Sequence, residues 1–438
     1  MSSLVSLIMP CYNASQFLDE MLSSVQLQTH KNIELICVDD ASTDDTLNKL
    51  IKWKETFSNQ GYELTVVSRK ENGGVSSAIN EGLSLFKGEF VCFPDADDGL
   101  EAGYVERMLD YLRLNPDINY VRCAYRQERG SVRKHDFGVI QRDNHDVLRD
   151  SAFCRTLAHR HCTSVWNMMA RASYLWECIP SMKIHENRLA YQEWQLLLPL
   201  THKSEYGVIP DILYNYKRRS SGQFKKNMSN YTRSINFVNE NRRAYSETYK
   251  SIALTDKELD MCEKTESALF LGMVYETALS FSKSADSHIR KLKGLLQEND
   301  ISCESKYLRS CFFPLLECIL DKILHSKNDE NEDLMCYTRF VEAKKYIIYG
   351  TGRYYARYAP ALEEAFGRAK TVWDKYAGDG LSPPANIPVE YIDLPIALLI
   401  FDEGDAQQAL HDLKKMGCSS IFTLGQVQSA LRYFLKLI

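Results

Sequence analysis

The first hundred residues alternate between short apolar runs and amphipathic stretches, and that rhythm restricts the fold more than any other feature. LVSLIM (4–9), IELICV (33–38), ELTVVS (63–68) and EFVCFP (89–94) read as strands. Between them, ASQFLDEMLSSVQLQ (14–28), a segment opening near Ser42, and VSSAINEGLSLF (75–86) read as helices. Phe17, Leu18, Met21, Leu22 and Val25 share one face of the first. The Ser42 hydroxyl is expected to cap the second, with Asp44 and Asp45 suiting its positive end. Apolar strands separated by helices of this length require βαβ units and a mostly parallel sheet covered on both faces. The expected class is α/β.

Polar residues collect where these strands end. Pro10, Cys11, Tyr12 and Asn13 follow the first, Asp39 and Asp40 the second, and Asp95, Asp97 and Asp98 the fourth. Open α/β sheets bind ligands at the carboxyl ends of their strands. Turn capping accounts for any one cluster but poorly for three that coincide, so a shared crevice is the better reading. Three carboxylates without a His or Cys cluster suit a hard divalent cation, Mn²⁺ or Mg²⁺. Such an ion neutralises charge on a departing diphosphate, which makes a nucleotide-activated compound the expected substrate. Asp40 beside Tyr12 suits the nucleobase end, with a ring to stack and a carboxylate to accept a base N–H.

VSLIMPCYNASQFLDEMLSSVQLQTHKNIELICVDDASTDDT and ENGGVSSAINEGLSLFKGEFVCFPDADDG together carry P-x-Y-N, V-D-D-x-S-x-D, N-x-G, A-x-N-x-G, K-G and D-x-D-D in order. This resembles the family 2 glycosyltransferases, which adopt the GT-A fold, and the likeness continues more weakly to about residue 225. It implies transfer of a sugar from a nucleotide sugar to an acceptor hydroxyl, with inversion at the anomeric carbon. By the same resemblance Asp40 would meet the nucleobase, Asp95 the ribose side and Asp97 the metal, with Asp98 sharing or supporting it. Pro10, Tyr12, Asn13 and Asn72 would complete the nucleotide-sugar pocket. Many members carry Arg where this chain has Ile79, so Arg69 or Lys70 would take over contact with the diphosphate.

The family's catalytic base is typically the Asp of a Glu-Asp pair; here the pair reads Gln192-Glu193, and Glu193 takes that position. Its extra methylene moves the carboxylate outward, and a misplacement of about 1 Å can cost on the order of 10²-fold unless the backbone compensates. YNYKRRSSGQF (214–224) resembles the family's basic loop, from which Lys217, Arg218 or Arg219 would reach the diphosphate. The resulting expectation is a hexosyltransferase that moves a hexose or amino-hexose from a UDP-sugar onto a saccharide or lipid-linked saccharide of a surface polysaccharide. The alternatives are a non-catalytic nucleotide-sugar-binding scaffold and a sugar nucleotidyltransferase. The latter's glycine-rich, Arg-containing loop is absent from MPCYNAS.

The 438 residues are expected to divide into 1–225, a helical region with linker over 226–335, and a Rossmann-like module over 336–438. A net charge of −5 with no basic stripe argues against a nucleic-acid partner. No apolar run reaches the roughly 18 residues of a membrane span. The amino terminus lacks a basic signal-peptide region, so a cytoplasmic protein is expected, with peripheral contact at the inner membrane face as a variant. Thirteen cysteines without a C-x-x-C pair point to reduced thiols, and His159, His161 and Cys162 read as a loop rather than a metal site.

NDENED (328–333) reads as an exposed linker, after which strand and helix alternate again through KYIIYGTG, TVW, IPVEYI, PIALLIF and SSIFTL. Gly350 and Gly352 suggest a dinucleotide fingerprint with Asp374 at ribose distance, but Tyr355 occupies the third glycine position. A tight strand–helix turn is the better account. The module would then assemble subunits, dock a partner enzyme or shape the acceptor site. Phe312 and Phe313 next to basic residues suit either a membrane surface or core packing, and core packing is favoured.

Overall fold

The computed structural model describes residues 2–59, 63–129, 132–138, 151–157, 164–186, 188–189, 192–218, 227, 229–281, 286–301, 303–304, 306, 308–324, 330–350, 353–373, 389–400 and 403–437. They form two compact units, Met1–Glu266 and Ser267–Ile438.

In the first unit the chain runs β1 (Val5–Cys11), α1 (Leu18–Gln26), β2 (Ile33–Asp39), α2 (Thr46–Ser58), β3 (Glu63–Ser68), α3 (Val75–Leu83) and β4 (Phe90–Cys92). It continues through β5 (Gly99–Leu100), α4 (Tyr104–Leu114), β6 (Tyr120–Arg129), β7 (Val132–Gly138), α5 (Ala152–Leu157), β8 (Met168–Arg171) and α6 (Ala172–Cys178). Then come α7 (Glu193–Thr201), β9 (Gly207–Arg218), α8 (Tyr231–Ser251) and α9 (Asp256–Phe281), whose residues from Ser267 onward belong to the second unit. The strands lie in the order β3-β2-β1-β4-β8-β6-β9-β5, with β7 on β6. β3, β2, β1 and β4 are parallel, as the α/β expectation requires. β8 then runs antiparallel to both β4 and β6, so the second half of the sheet is mixed.

Side-chain parity divides the core. Leu7, Met9, Leu35 and Cys37 face a cluster with Leu18, Met21, Leu50 and Tyr104, whereas Ile8, Ile36, Val38 and Val91 face one with Ala78, Ile79 and Leu196. Helices therefore cover both faces. Register aligns Cys11 with Asp39 and Asp39 with Ser68, which brings the polar ends of three strands level.

Two local expectations are corrected. Ser42 does not cap α2; its Oγ accepts the Asn13 N–H at 2.9 Å, and Asp44 Oδ1 takes the Thr46 N–H at 3.0 Å. The helix thus starts four residues later, because the loop spends Ser42 on joining the ends of β1 and β2. Residues 330–333 are not linker but the first turn of a helix, where Asp333 suits its positive end. Asp333 is buried and pairs with Arg432 at 3.1 Å.

The second unit holds α10 (Asp286–Glu298), α11 (Phe312–Leu324) and α12 (Glu330–Ala343), followed by β10 (Ile347–Tyr349), α13 (Arg353–Phe366) and β11 (Thr371–Trp373). After these come α14 (Val389–Ile392), β12 (Ile396–Leu398), α15 (Glu403–Lys415), β13 (Ile421–Phe422) and α16 (Leu424–Leu437). Its four strands form a parallel sheet, β11-β10-β12-β13. The end of IPVEYI is a helical turn rather than a strand. Gly350 has φ +106°, and a Cβ there would lie 2.8 Å from the Leu399 carbonyl oxygen, so a tight turn accounts for this glycine. Gly352 and Asp374 lie outside the described residues. Phe312 is buried and stacked on Tyr275 at 3.7 Å, and the Arg357 guanidinium lies over Phe313 at 4.8 Å; both phenylalanines belong to core packing. No helix among the described residues is long and apolar enough to cross a membrane.

Candidate active site

The short strand β4 ends at Cys92, and the chain turns through Phe93 and Pro94 into the aspartates. Asp98 is 1% exposed, and both of its oxygens are engaged from β9: Tyr214 Oη donates to Oδ2 at 2.9 Å, and the Lys217 N–H donates to Oδ1 at 2.7 Å. Tyr214 Oη also accepts the Asp95 N–H at 3.1 Å. The Tyr214 ring is stacked on Trp166 at 4.6 Å, so a packed aromatic pair sets the aspartate loop. One carboxylate oxygen from each of Asp95, Asp97 and Asp98 falls within 4.8 Å of the others.

Burial pushes the Asp95 carboxyl well above its usual range, and the Asp97 and Glu193 charges push it further. Asp98 is raised by burial and then by Asp95 and Asp97, against the opposing pull of the Lys217 N–H and Tyr214. An all-oxygen donor set whose members repel one another fits a hard divalent cation, which would relieve the repulsion that protons otherwise relieve.

On the β2 side the two neighbouring aspartates part company. Asp40 lies just past the strand, and its oxygens accept the Gly73 and Gly74 N–H groups at 3.0 and 2.8 Å, immediately before α3. Arg69 Nε is 3.5 Å from the same carboxylate. Asp40 thus anchors the amino end of α3, where a negative charge is favoured. Asp39 is 2% exposed; its Oδ2 lies 3.4 Å from the Ser42 N–H, and its Oδ1 has no partner. Arg69 Nη1 is likewise buried without a partner. Unmet buried polar atoms are expensive, and two of them beside a crevice suit a polar ligand.

Tyr12 is 46% exposed at the end of β1. Asn13, at φ 49°, accepts the Thr43 N–H on Oδ1 at 2.8 Å and so ties this loop to the next. Pro10 is half-buried in β1, and Asn72 is half-buried in the turn before α3. Ile79 is 1% exposed within the core cluster, so this position faces the sheet rather than the crevice, which explains the apolar residue.

Glu193 opens α7. Its Oε2 is buried without a partner, and burial pushes its carboxyl up to about 7. Its charge raises the Asp95 carboxyl, so the two groups are within electrostatic reach of one another. The neighbouring Trp194 packs edge-on against Tyr245 of α8 at 5.3 Å, fixing the face that α7 presents.

The structure therefore gathers Asp95, Asp97, Asp98 and Glu193, and places Asp40 with Arg69 on the adjoining strand ends. Lys217 contributes its backbone N–H to Asp98, while its ammonium pairs with Glu20. Arg219, His159, His161 and Cys162 lie outside the described residues. Two contributors are only partly read or missed in the sequence: Asp39 is grouped with Asp40 and given no role of its own, and Tyr214 is not singled out. Asp39 was legible in principle, since its parity with Leu35 and Cys37 turns it away from Asp40. Tyr214 carried no local signal at all.

Residues 6–178 match the model of Glycosyl transferase family 2. An uncharacterised glycosyltransferase of Haemophilus influenzae is 35% identical over 133 residues, 30% of this chain and 40% of that protein. The minor teichoic acid biosynthesis protein GgaB of Bacillus subtilis is 26% identical over 230 residues, 50% of this chain and 23% of that protein. The chain thus spans less than half the length of these relatives. The crystal structure of S. aureus TarS aligns with TM-score 0.49 at 17% identity, covering 73% of this chain and 53% of that one. The likeness to the family 2 glycosyl transferases thus lies in the segment 6–178, which carries the strands β1 to β4 and the aspartate cluster.

Proposed function

We propose that the first unit transfers a hexose or amino-hexose from a UDP-sugar to an acceptor hydroxyl, with inversion, in the assembly of a surface polysaccharide. The observation that carries this reading is a cluster of three carboxylates with a fourth, separate carboxylate close enough for its charge to act on it. Three aspartates place oxygens within 4.8 Å of one another, and Glu193 stands apart with an unpaired buried oxygen. The relatedness to a teichoic acid biosynthesis protein supports the polysaccharide context.

Asp97 and Asp95, with Asp98 braced by donors from β9, would hold Mn²⁺ or Mg²⁺, which would supply positive charge beside the leaving diphosphate. Tyr12, Asp39, Asp40 and Arg69 would wall the nucleotide end, Tyr12 offering its ring and Asp39 its open oxygen. The acceptor hydroxyl attacks the anomeric carbon and the bond from that carbon to the diphosphate oxygen breaks. The hydroxyl proton passes to Glu193 Oε2. A base near 7 is matched to neutral solution: ionised often enough to accept the proton, and basic enough to drive the step. One displacement, with nucleophile and leaving group on opposite faces, inverts the centre.

Incubating the protein with UDP-glucose or UDP-N-acetylglucosamine, Mn²⁺ and a panel of saccharide acceptors tests this. The expected product is a β-glycoside from an α-linked donor, seen in its anomeric proton coupling. Retention of configuration would overturn the single-displacement reading.

A further inference from the structure

Ahead of α7, the main chain at Ile184 and His185 is gripped by two side-chain amides. Asn80, on α3 and 7% exposed, accepts the Ile184 N–H on Oδ1 at 2.9 Å and donates Nδ2 to the Ile184 carbonyl at 2.9 Å. Its amide pairs with the backbone as a neighbouring strand would. The same Nδ2 lies 3.0 Å from Glu186 Oε1, while Ser77 Oγ donates to Glu186 Oε2 at 3.2 Å. Gln195, on α7 and 2% exposed, treats the next residue alike: Oε1 accepts the His185 N–H, and Nε2 lies 3.3 Å from the His185 carbonyl. Gln195 Nε2 also lies 3.4 Å from Ser76 Oγ on α3.

These contacts join the two helices that frame the site. α3 begins at the glycines held by Asp40, and α7 begins at Glu193. Gln195 sits two residues after Glu193, about 200° round the helix. Fixing one therefore fixes the rotation that aims the other. Buried amides satisfied on both oxygen and nitrogen are costly to disturb, so the grip holds a single arrangement.

We propose that Asn80 and Gln195 are positioning residues for the transfer reaction: by clamping Ile184 and His185 from α3 and α7, they hold the Glu193 carboxylate in register with the aspartate crevice. This rests on Glu193 being the base. The two amides touch no reacting atom; they act through the backbone of 184–185.

The test is Asn80→Ala, with Asn80→Gln as the conservative partner, since it keeps both an amide acceptor for the Ile184 N–H and a donor for the Ile184 carbonyl and Glu186. Turnover of UDP-glucose and UDP-N-acetylglucosamine is measured alongside UDP–Mn²⁺ affinity and amide hydrogen exchange at Ile184 and His185. The expected result is a kcat loss of about 10–100-fold in Asn80→Ala, faster exchange at Ile184, KM and UDP affinity within about twofold, and partial recovery in Asn80→Gln. Unchanged kcat with faster exchange would overturn the proposal. So would parallel loss of kcat and UDP affinity, which a merely structural role produces. If Asn80→Ala does not fold, Asn80→Gln against the parent carries the same comparison. Glu193→Gln separates the two readings: parent-like turnover there removes the base, and the positioning proposal with it, whereas an inactive Glu193→Gln beside an unaltered Asn80→Ala removes the positioning proposal alone.

Discussion

Tyr214 Oη stands 2.9 Å from Asp98 Oδ2 while accepting the Asp95 N–H at 3.1 Å, so one phenol on β9 fixes two members of the aspartate cluster. Tyr214→Phe keeps the stacked ring and deletes both bonds. Leaving the Asp98 oxygen and the Asp95 N–H short of a partner should lower stability by about 1–3 kcal/mol. It should also weaken Mn²⁺ binding by loosening the loop. Urea unfolding and a Mn²⁺ titration of the melting temperature report the two effects, and a parent-like Mn²⁺ response would show that the loop holds its shape unaided.

Glu193 makes stability depend on pH. Its folded carboxyl titrates near 7 against an ordinary 4.5, so between those values the folded state holds a proton that the unfolded state has released. Stability is fully present below the lower value and falls as pH rises through the window, by up to about 3 kcal/mol. Asp95 and Asp98, also raised, add a loss of the same sign. Glu193→Gln should flatten its share of the slope in urea unfolding at pH 5 and pH 8, and saturating Mn²⁺ should flatten the share of the aspartates.

The same carboxyl should govern rate. As general base Glu193 must be ionised, so kcat/KM is expected to rise with pH and level off above about 7. Replacing Glu193 with Gln should lower kcat at least about 10²-fold. A profile flat from pH 5.5 to 8 would assign the base elsewhere.

Phe312 gives a test in the second unit. It is buried and stacked on Tyr275, so Phe312→Ala should destabilise that unit by about 3–5 kcal/mol. Flotation with anionic vesicles should be the same for parent and variant. A loss of vesicle binding without a loss of stability would instead indicate a membrane-facing ring.

Gly350→Ala should likewise cost more than about 1 kcal/mol, because a side chain at φ +106° is strained and its Cβ would meet the Leu399 carbonyl oxygen. A melting temperature equal to the parent's would mean that β10 and its neighbour can part to admit a methyl group.

The early strands were legible because each carries its own apolar run and a parallel sheet buries both faces. Their polar ends followed directly. β6 and β9 were not legible: YVRCAYRQER and GVIPDILYNYKR mix charge, a proline and aromatics, and become strands by pairing along their length with each other and with β8, β7 and β5. The contribution of Tyr214 depends on that pairing, as its partner Asp98 lies 116 positions away. Asn80 stood out as part of a motif, but its task is set by a backbone 104 residues distant, which spacing cannot reveal. Asp39 and Asp40 were read as one polar end, although strand parity sends them to different neighbours.

The strand order also decides where the chain can be cut. The family match stops at residue 178, yet β9, at 207–218, lies between β6 and β5 in the sheet. A fragment ended at the match would leave Asp98 without either hydrogen-bond donor, β5 without a neighbour and one side of β6 bare. Exposed strand edges recruit other strands, so such a fragment should aggregate rather than fold. The smallest piece able to form the crevice must therefore reach past Arg218: the boundary of kinship and the boundary of folding differ by at least one strand.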